Sequence, residues 1–143
     1  MEVYEKKIGR VFRFEFAMGE NVLAALGTFA HKEGIREASL FIVGAIGEGE
    51  IITGFRTIAE GDSKVQKLGQ KREFFGVGNL TWPAKRPLSM ARLGVAWNEP
   101  QPYPHLHLTF GPDVGEEQKE NLVGHLEKGL VNPAATVLLY ELL

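Results

Sequence analysis

The chain has 143 residues, 44% hydrophobic and 24% charged, with a formal net charge of −2 and a pI near 6.1. That length suits one domain, residues 1–143, with a real core, and the composition excludes disorder and any membrane-spanning apolar stretch. The absence of cysteine removes disulfides, thiolate metal sites and cysteine nucleophiles, and the slight acidity argues against a broadly basic nucleic-acid face.

The opening MEVYEKKIGRVFRFEF has no apolar run followed by a small-residue cleavage site. It reads as the approach to a strand and not as a secretory signal, so a cytoplasmic protein is expected. Residues 11–16 alternate, with Phe12, Phe14 and Phe16 on one face and Val11, Arg13 and Glu15 on the other, which predicts a strand with one buried side. From Glu20 the period changes. Val22, Leu23, Leu26, Phe29 and Ala30 recur at helical spacing, and Gly34 is placed to end the helix in a left-handed cap.

Two β-branched, strand-like runs follow, 38–47 and 48–58, divided by the glycines around Gly47 and Gly49, with Gly44 and Gly47 marking a bulge or a close backbone approach. The polar stretch 59–71 predicts a surface loop. Residues 72–82 and 90–97 predict two further strands, joined through the proline-bounded loop 83–87. The proline-rich segment 98–104 is irregular and feeds a short strand, HLHLTFG, at 105–111. The apolar run 134–142 is the expected central strand. Between these two, residues 115–130 stay open: Leu122, Leu126 and Leu130 recur every four residues as in a helix, while Gly124 and Gly129 oppose one. Together these elements predict an α+β fold with a largely antiparallel sheet of about six or seven strands. One main helix covers a face of that sheet, with room for a short second one.

Three of the four histidines, His105, His107 and His125, fall within 21 residues of one another. On a strand, His105 and His107 share a face with Cβ atoms about 6.6–6.8 Å apart, a separation from which two imidazoles can share one ion. A third imidazole, from His125, would complete a set that suits Zn²⁺, Ni²⁺ or Fe²⁺ and leaves a position for water. The plain alternative is a pair of exposed or hydrogen-bonded imidazoles. His31, near the end of the first helix, is accounted for by C-terminal capping. Glu73 opens an otherwise apolar strand as a second-sphere acceptor, an ion-pair partner or a solvated charge. Trp82, Trp97 and Tyr103 flank the proline loops as an aromatic wall or as core. Lys85-Arg86-Pro87 is too short to bind DNA, and there is no phosphate-binding glycine loop.

Pro104-His105-Leu106-His107, then Gly124-His125-Leu126, then Ala135-Thr136-Val137 leading into the last strand, resemble the plants-and-prokaryotes conserved (PPC) domain family. GIREASLFIVGAIGEGEI and Glu73-Phe74-Phe75-Gly76-Val77-Gly78-Asn79-Leu80 are similar to earlier family segments, so the likeness runs through nearly the whole chain. Val123 departs from the pattern, where many members have a second glycine before Gly-His-Leu. The resemblance implies an antiparallel sheet flanked by helix, assembly as a homotrimer, and a metal or ligand site at His105, His107 and His125. In plant members an AT-hook reads the DNA minor groove, while the domain itself mediates self-association and protein partnerships. No Arg-Gly-Arg-Pro occurs here, so the bare prokaryotic type is expected and DNA is a disfavoured partner.

Three functional readings follow. The first is a homotrimeric interaction or ligand-binding module whose histidine cluster holds a divalent metal such as Zn²⁺ or a small ligand. The second is a metal-dependent hydrolase with Glu73 as general base. The third is a DNA-associated regulator whose valency comes from the trimer.

Overall fold

A computed structural model describes residues 1–55, 63–69, 71–111 and 121–143. Six strands are present: β1 (Ile8–Ala17), β2 (Ala38–Phe55), β3 (Ser63–Leu68), β4 (Arg72–Thr81), β5 (Tyr103–Phe110) and β6 (Leu122–Leu142). Helix α1 (Val22–Glu33) follows β1, and a short α2 (Leu88–Arg92) lies between β4 and β5. All pairings are antiparallel, in the order β1-β6-β5-β4-β2-β3, with a further β6–β2 pairing. That extra pairing joins β2, β4, β5 and β6 into a closed ring. The two long strands make it possible: the first half of β2 lies between β4 and the end of β6, and its second half between β3 and the start of β6.

The alternation in β1 sends Phe12, Phe14 and Phe16 inward, where Phe29 of α1 meets Phe12 and Phe14 edge to face at 4.9 Å each. Helix α1 buries Val22, Leu26 and Ala30 against the inner face of the sheet. Its N-terminus is capped by Asn21, whose Oδ1 accepts from the Ala24 N–H at 3.1 Å. Glu20 stands before the cap and accepts from the Ala17 N–H. At the other end Gly34 takes φ 68° and donates to the Ala30 and His31 carbonyls, the left-handed stop that the sequence predicts. Among the described residues, no helix is long and apolar enough to cross a membrane.

Several expectations change. The two runs at 38–58 form, as far as Phe55, one continuous strand, with register shifts between Gly44 and Ile46 and between Ile46 and Glu48 where bulges were expected. Within the predicted loop 59–71, β3 pairs with the second half of β2, while 59–62 lie outside the described residues. An edge strand has one free side, so its polar composition is no obstacle. The predicted strand 90–97 is replaced by α2 and an irregular stretch. Pro87 sets up the helix start, the Leu-Ser-Met-Ala-Arg run favours helix, and Gly94 at φ 70° ends it. The helical option for 115–130 fails from Leu122 onward, where the chain is in β6; residues 115–120 lie outside the described set. The four-residue leucine spacing there spans a bulge at Glu127, since Leu126 pairs with Ile51 and Lys128 with Glu50.

Candidate metal centre

Strand β5 buries Leu106, Leu108 and Phe110, so by alternation it turns Tyr103, His105, His107 and Thr109 to the outer face. On β6, His125 sits directly opposite His107. The register therefore assembles what the sequence separates by 18 positions or more. The ring centroids lie 4.9 Å apart for His105–His107, 4.7 Å for His105–His125 and 5.6 Å for His107–His125. One ring nitrogen from each falls within 4.8 Å of the others, and the Nε2 atoms of His105 and His107 approach to 3.0 Å. Two imidazoles on a tetrahedral zinc would hold their nitrogens about 3.3 Å apart.

Two neighbouring elements keep the strands in place. Gly76 and Gly78 of β4 lie against the carbonyl oxygens of His107 and His105, and a Cβ at either glycine would collide with them. Tyr103 stacks on His105 with centroids 5.7 Å apart. Its hydroxyl hydrogen-bonds Ser89 Oγ of α2 at 2.8 Å, and burial raises its pKa. Two residues beyond His125, the buried Glu127 carboxylate accepts two hydrogen bonds from Arg92, both 3.1 Å. The sequence carries no local signal for this α2 latch, whose two side chains lie 35 residues apart.

Electrostatics favour neutral imidazoles. Burial is the main cause that drives His125 down to about 4, with His105 and His107 adding to it. Burial, then the neighbouring His107, also lowers His105. Both rings therefore offer a lone pair at neutral pH, the form in which imidazole binds metals. The donor set is all nitrogen and uncharged, so it fits a borderline divalent cation and not Ca²⁺ or Mg²⁺, which take oxygen ligands.

The other sequence candidates lie elsewhere. Glu73 is four residues along β4 from Val77, the partner of His107, or about 13 Å of strand. Trp82 donates to the Ile35 carbonyl at 2.7 Å, stacks with His31 and lies under Arg36. Trp97 donates to the Pro83 carbonyl. Of the three aromatics, Tyr103 is the one that stacks on a triad ring.

A curled antiparallel sheet, one covering helix and three converging imidazoles describe an α+β protein with a candidate metal centre. The chain belongs to the Plants and Prokaryotes Conserved (PCC) domain family, whose model matches residues 3–143. No curated protein matches it. Among solved structures it is similar to a plant- and prokaryote-conserved protein from Pyrococcus horikoshii, with 24% identity, TM-score 0.75, and coverage of 100% of this chain and 85% of that one. A protein from Archaeoglobus fulgidus described as metal-containing has 21% identity and TM-score 0.74, covering 99% and 86% of the two chains. A third, from Bacteroides thetaiotaomicron, is named a candidate DNA-binding protein and has 20% identity and TM-score 0.65, covering 95% and 83%. At these identities the likeness is one of fold.

Proposed function

We propose that the chain is a homotrimeric ligand-binding and protein-interaction module in which His105, His107 and His125 hold one divalent metal ion, with Zn²⁺ the best fit. The observation that carries this reading is the convergence of three imidazole nitrogens within 4.8 Å, with burial holding His125 and His105 uncharged. The metal-containing relative from Archaeoglobus fulgidus supports it. Bound there, a zinc ion would supply Lewis acidity and an open position for an oxygen or nitrogen ligand. The protein's own part is to hold the imidazoles: β4 glycines let β5 approach, and Tyr103 fixes the His105 ring.

The hydrolytic reading asks for a general base beside the three rings. Glu73 does not stand there, and Glu127 is occupied by Arg92. A DNA-associated role has a net charge of −2 against it.

The test is elemental analysis of protein purified without an affinity tag, with melting curves on adding Zn²⁺ or Ni²⁺. About one metal per chain and a raised melting temperature, both lost in His125→Ala, are expected. No metal and no thermal shift would overturn the metal assignment. Light scattering on the same protein reports whether it is a trimer.

A further inference from the structure

We propose that the cavity between α1, α2 and the proline-rich segment before β5 binds an uncharged, mainly apolar small molecule that carries a hydrogen-bond donor. This rests on the ligand-binding reading above, to which it adds a place and a ligand class, and it does not need the metal.

The cavity has a volume of about 620 Å³, within the range of small-molecule sites. Leu23 and Gly27 of α1, Met90 of α2 with Leu93 just after it, and Pro102 and Pro104 supply apolar walls. Helix α2 is held from two sides: Arg92 donates to the Glu127 carboxylate, and Ser89 shares a hydrogen bond with the Tyr103 hydroxyl. Glu127 and Tyr103 both line the cavity, so the contacts that fix α2 also form the space before a ligand arrives. Tyr103 stacks on His105 as well, so one side chain borders both the cavity and the imidazole triad.

A second observation points to an occupant. Gly27 stands in the interior of α1, where glycine is less stable than alanine because fixing its backbone costs more entropy. The glycines of β4 are demanded by carbonyl oxygens that a Cβ would strike. Gly27 has no such demand on it: an added Cβ meets only the Pro104 ring, at 3.9 Å, an ordinary contact. Its effect is to keep a side chain out of the cavity.

Charge selects the class of ligand. Of the ionisable residues that line the cavity, Glu127 is paired with Arg92 and Lys128 with Glu50, while His31 stacks on Trp82. No unmatched charge there asks for an ion. Two acceptors remain in the walls. Arg92 takes one lone pair on each Glu127 oxygen and leaves others, and Gln101 donates its amide nitrogen to the Ala96 carbonyl, which leaves its own oxygen. An O–H or N–H on an otherwise apolar molecule matches them.

Fluorescence titration of the full chain, with chelator present, tests this with N-phenyl-1-naphthylamine, an uncharged dye with an N–H that brightens in apolar surroundings. Saturable binding with a dissociation constant of about 1–100 µM is expected. Its 8-sulfonate, the same rings with a negative charge added, should bind about tenfold or more weakly. Gly27→Leu, whose side chain enters the cavity, should cost about tenfold or more in dye affinity. Gly27→Ala should keep that affinity and raise the melting temperature by about 2–4 °C. Val95→Glu, which puts a carboxylate at an exposed position of the wall, should also weaken the dye about tenfold and serves if Gly27→Leu does not fold. Wild-type affinity in both variants leaves the chain a ligand binder and overturns this cavity as the place. No saturable binding to wild-type protein overturns the proposal, while metal analysis decides the triad separately. Equal affinity for the two dyes overturns the uncharged class. A lowered melting temperature in Gly27→Ala would show that the glycine serves packing and overturns the inference drawn from it.

Discussion

His107 and His125 face each other as a directly opposed pair across β5 and β6, with ring centroids 5.6 Å apart. Because the pair is set by backbone register, the third imidazole needs only to follow the alternation of β5, which places His105 on the same face. The triad is thus a property of the sheet and not of a flexible loop. A shift of one residue in the β5–β6 pairing would turn His125 to the other face.

The first expectation concerns the ligands themselves. Replacing any one of His105, His107 or His125 by Ala removes a third of the donor set, and Zn²⁺ affinity should fall by about 100-fold or more, since even outer-sphere changes cost about 10–100-fold. Competition titration with a coloured chelator measures it. Because His107 is exposed, His107→Ala should leave the melting temperature of the metal-free protein nearly unchanged, which separates loss of a ligand from loss of the fold.

pH gives a second handle. His125 has its folded-state pKa depressed to about 4 by burial and by the two neighbouring rings, against about 6.5 in an unfolded chain. Between those values the unfolded state binds a proton that the folded state refuses, so stability rises with pH across that window. Metal-free protein should therefore be fully stabilised by this group above pH 6.5 and lose that contribution as pH drops toward 4. Urea midpoints at pH 7, 6 and 5 should fall in sequence, and His125→Gln should flatten that trend. An identical slope in the variant would remove His125 as the cause.

Much of this was readable before any coordinates, and the reasons for the rest are physical. Phe12, Phe14 and Phe16 declared β1, and Val22, Leu26 and Ala30 with Gly34 declared α1, because local period and local cap settle both. The same-face placement of His105 and His107 followed from strand alternation. The partnership of His125 with His107 needs the long-range register of β6, which spacing does not encode, so the sequence offers His125 as a third ligand without a geometry. Residues 122–130 misled in part because the bulge at Glu127 imitates a four-residue helical period. The stretch 90–97 misled because Met90, Leu93 and Val95 carry an apolar pattern too short to tell helix from strand. The Arg92–Glu127 contact joins segments 35 residues apart, and only tertiary packing reveals it.

The β4 glycines make a third prediction. A Cβ at Gly78 would meet the His105 carbonyl oxygen, and one at Gly76 the His107 carbonyl oxygen. Gly78→Ala must push β5 away or break the local ladder, at a cost of about 1–3 kcal/mol. The same movement displaces His105, so Zn²⁺ affinity should drop along with stability. Gly69→Ala, where an added Cβ meets nothing within 4 Å, is the control and should change neither. If Gly78→Ala binds metal as wild type does, the close approach of β4 is not what sets the triad.

The Arg92–Glu127 latch supplies the last prediction. The Glu127 side chain is fully buried while that of Arg92 is 37% exposed, so the two halves of the pair are not equivalent. Removing Arg92 leaves a carboxylate in the interior with its main counter-charge gone, whereas removing Glu127 leaves a guanidinium that can turn to water. Arg92→Ala should therefore destabilise by about 2–4 kcal/mol, toward the lower part of the range for a broken buried pair because Arg92 is partly solvated. Glu127→Gln, which keeps shape and a hydrogen-bond acceptor, should cost less. The double variant Arg92→Met with Glu127→Leu should recover most of the loss, since a packed apolar pair carries no desolvation penalty. Urea unfolding of the four proteins measures each of these changes against wild type. A single Arg92→Ala variant as stable as wild type would mean that water, not Arg92, satisfies Glu127. Zn²⁺ affinity followed in parallel shows whether α2 acts on the site: through Ser89 and Tyr103 the latch bears on the His105 ring, so loosening it should weaken metal binding several-fold while leaving all three imidazoles in place.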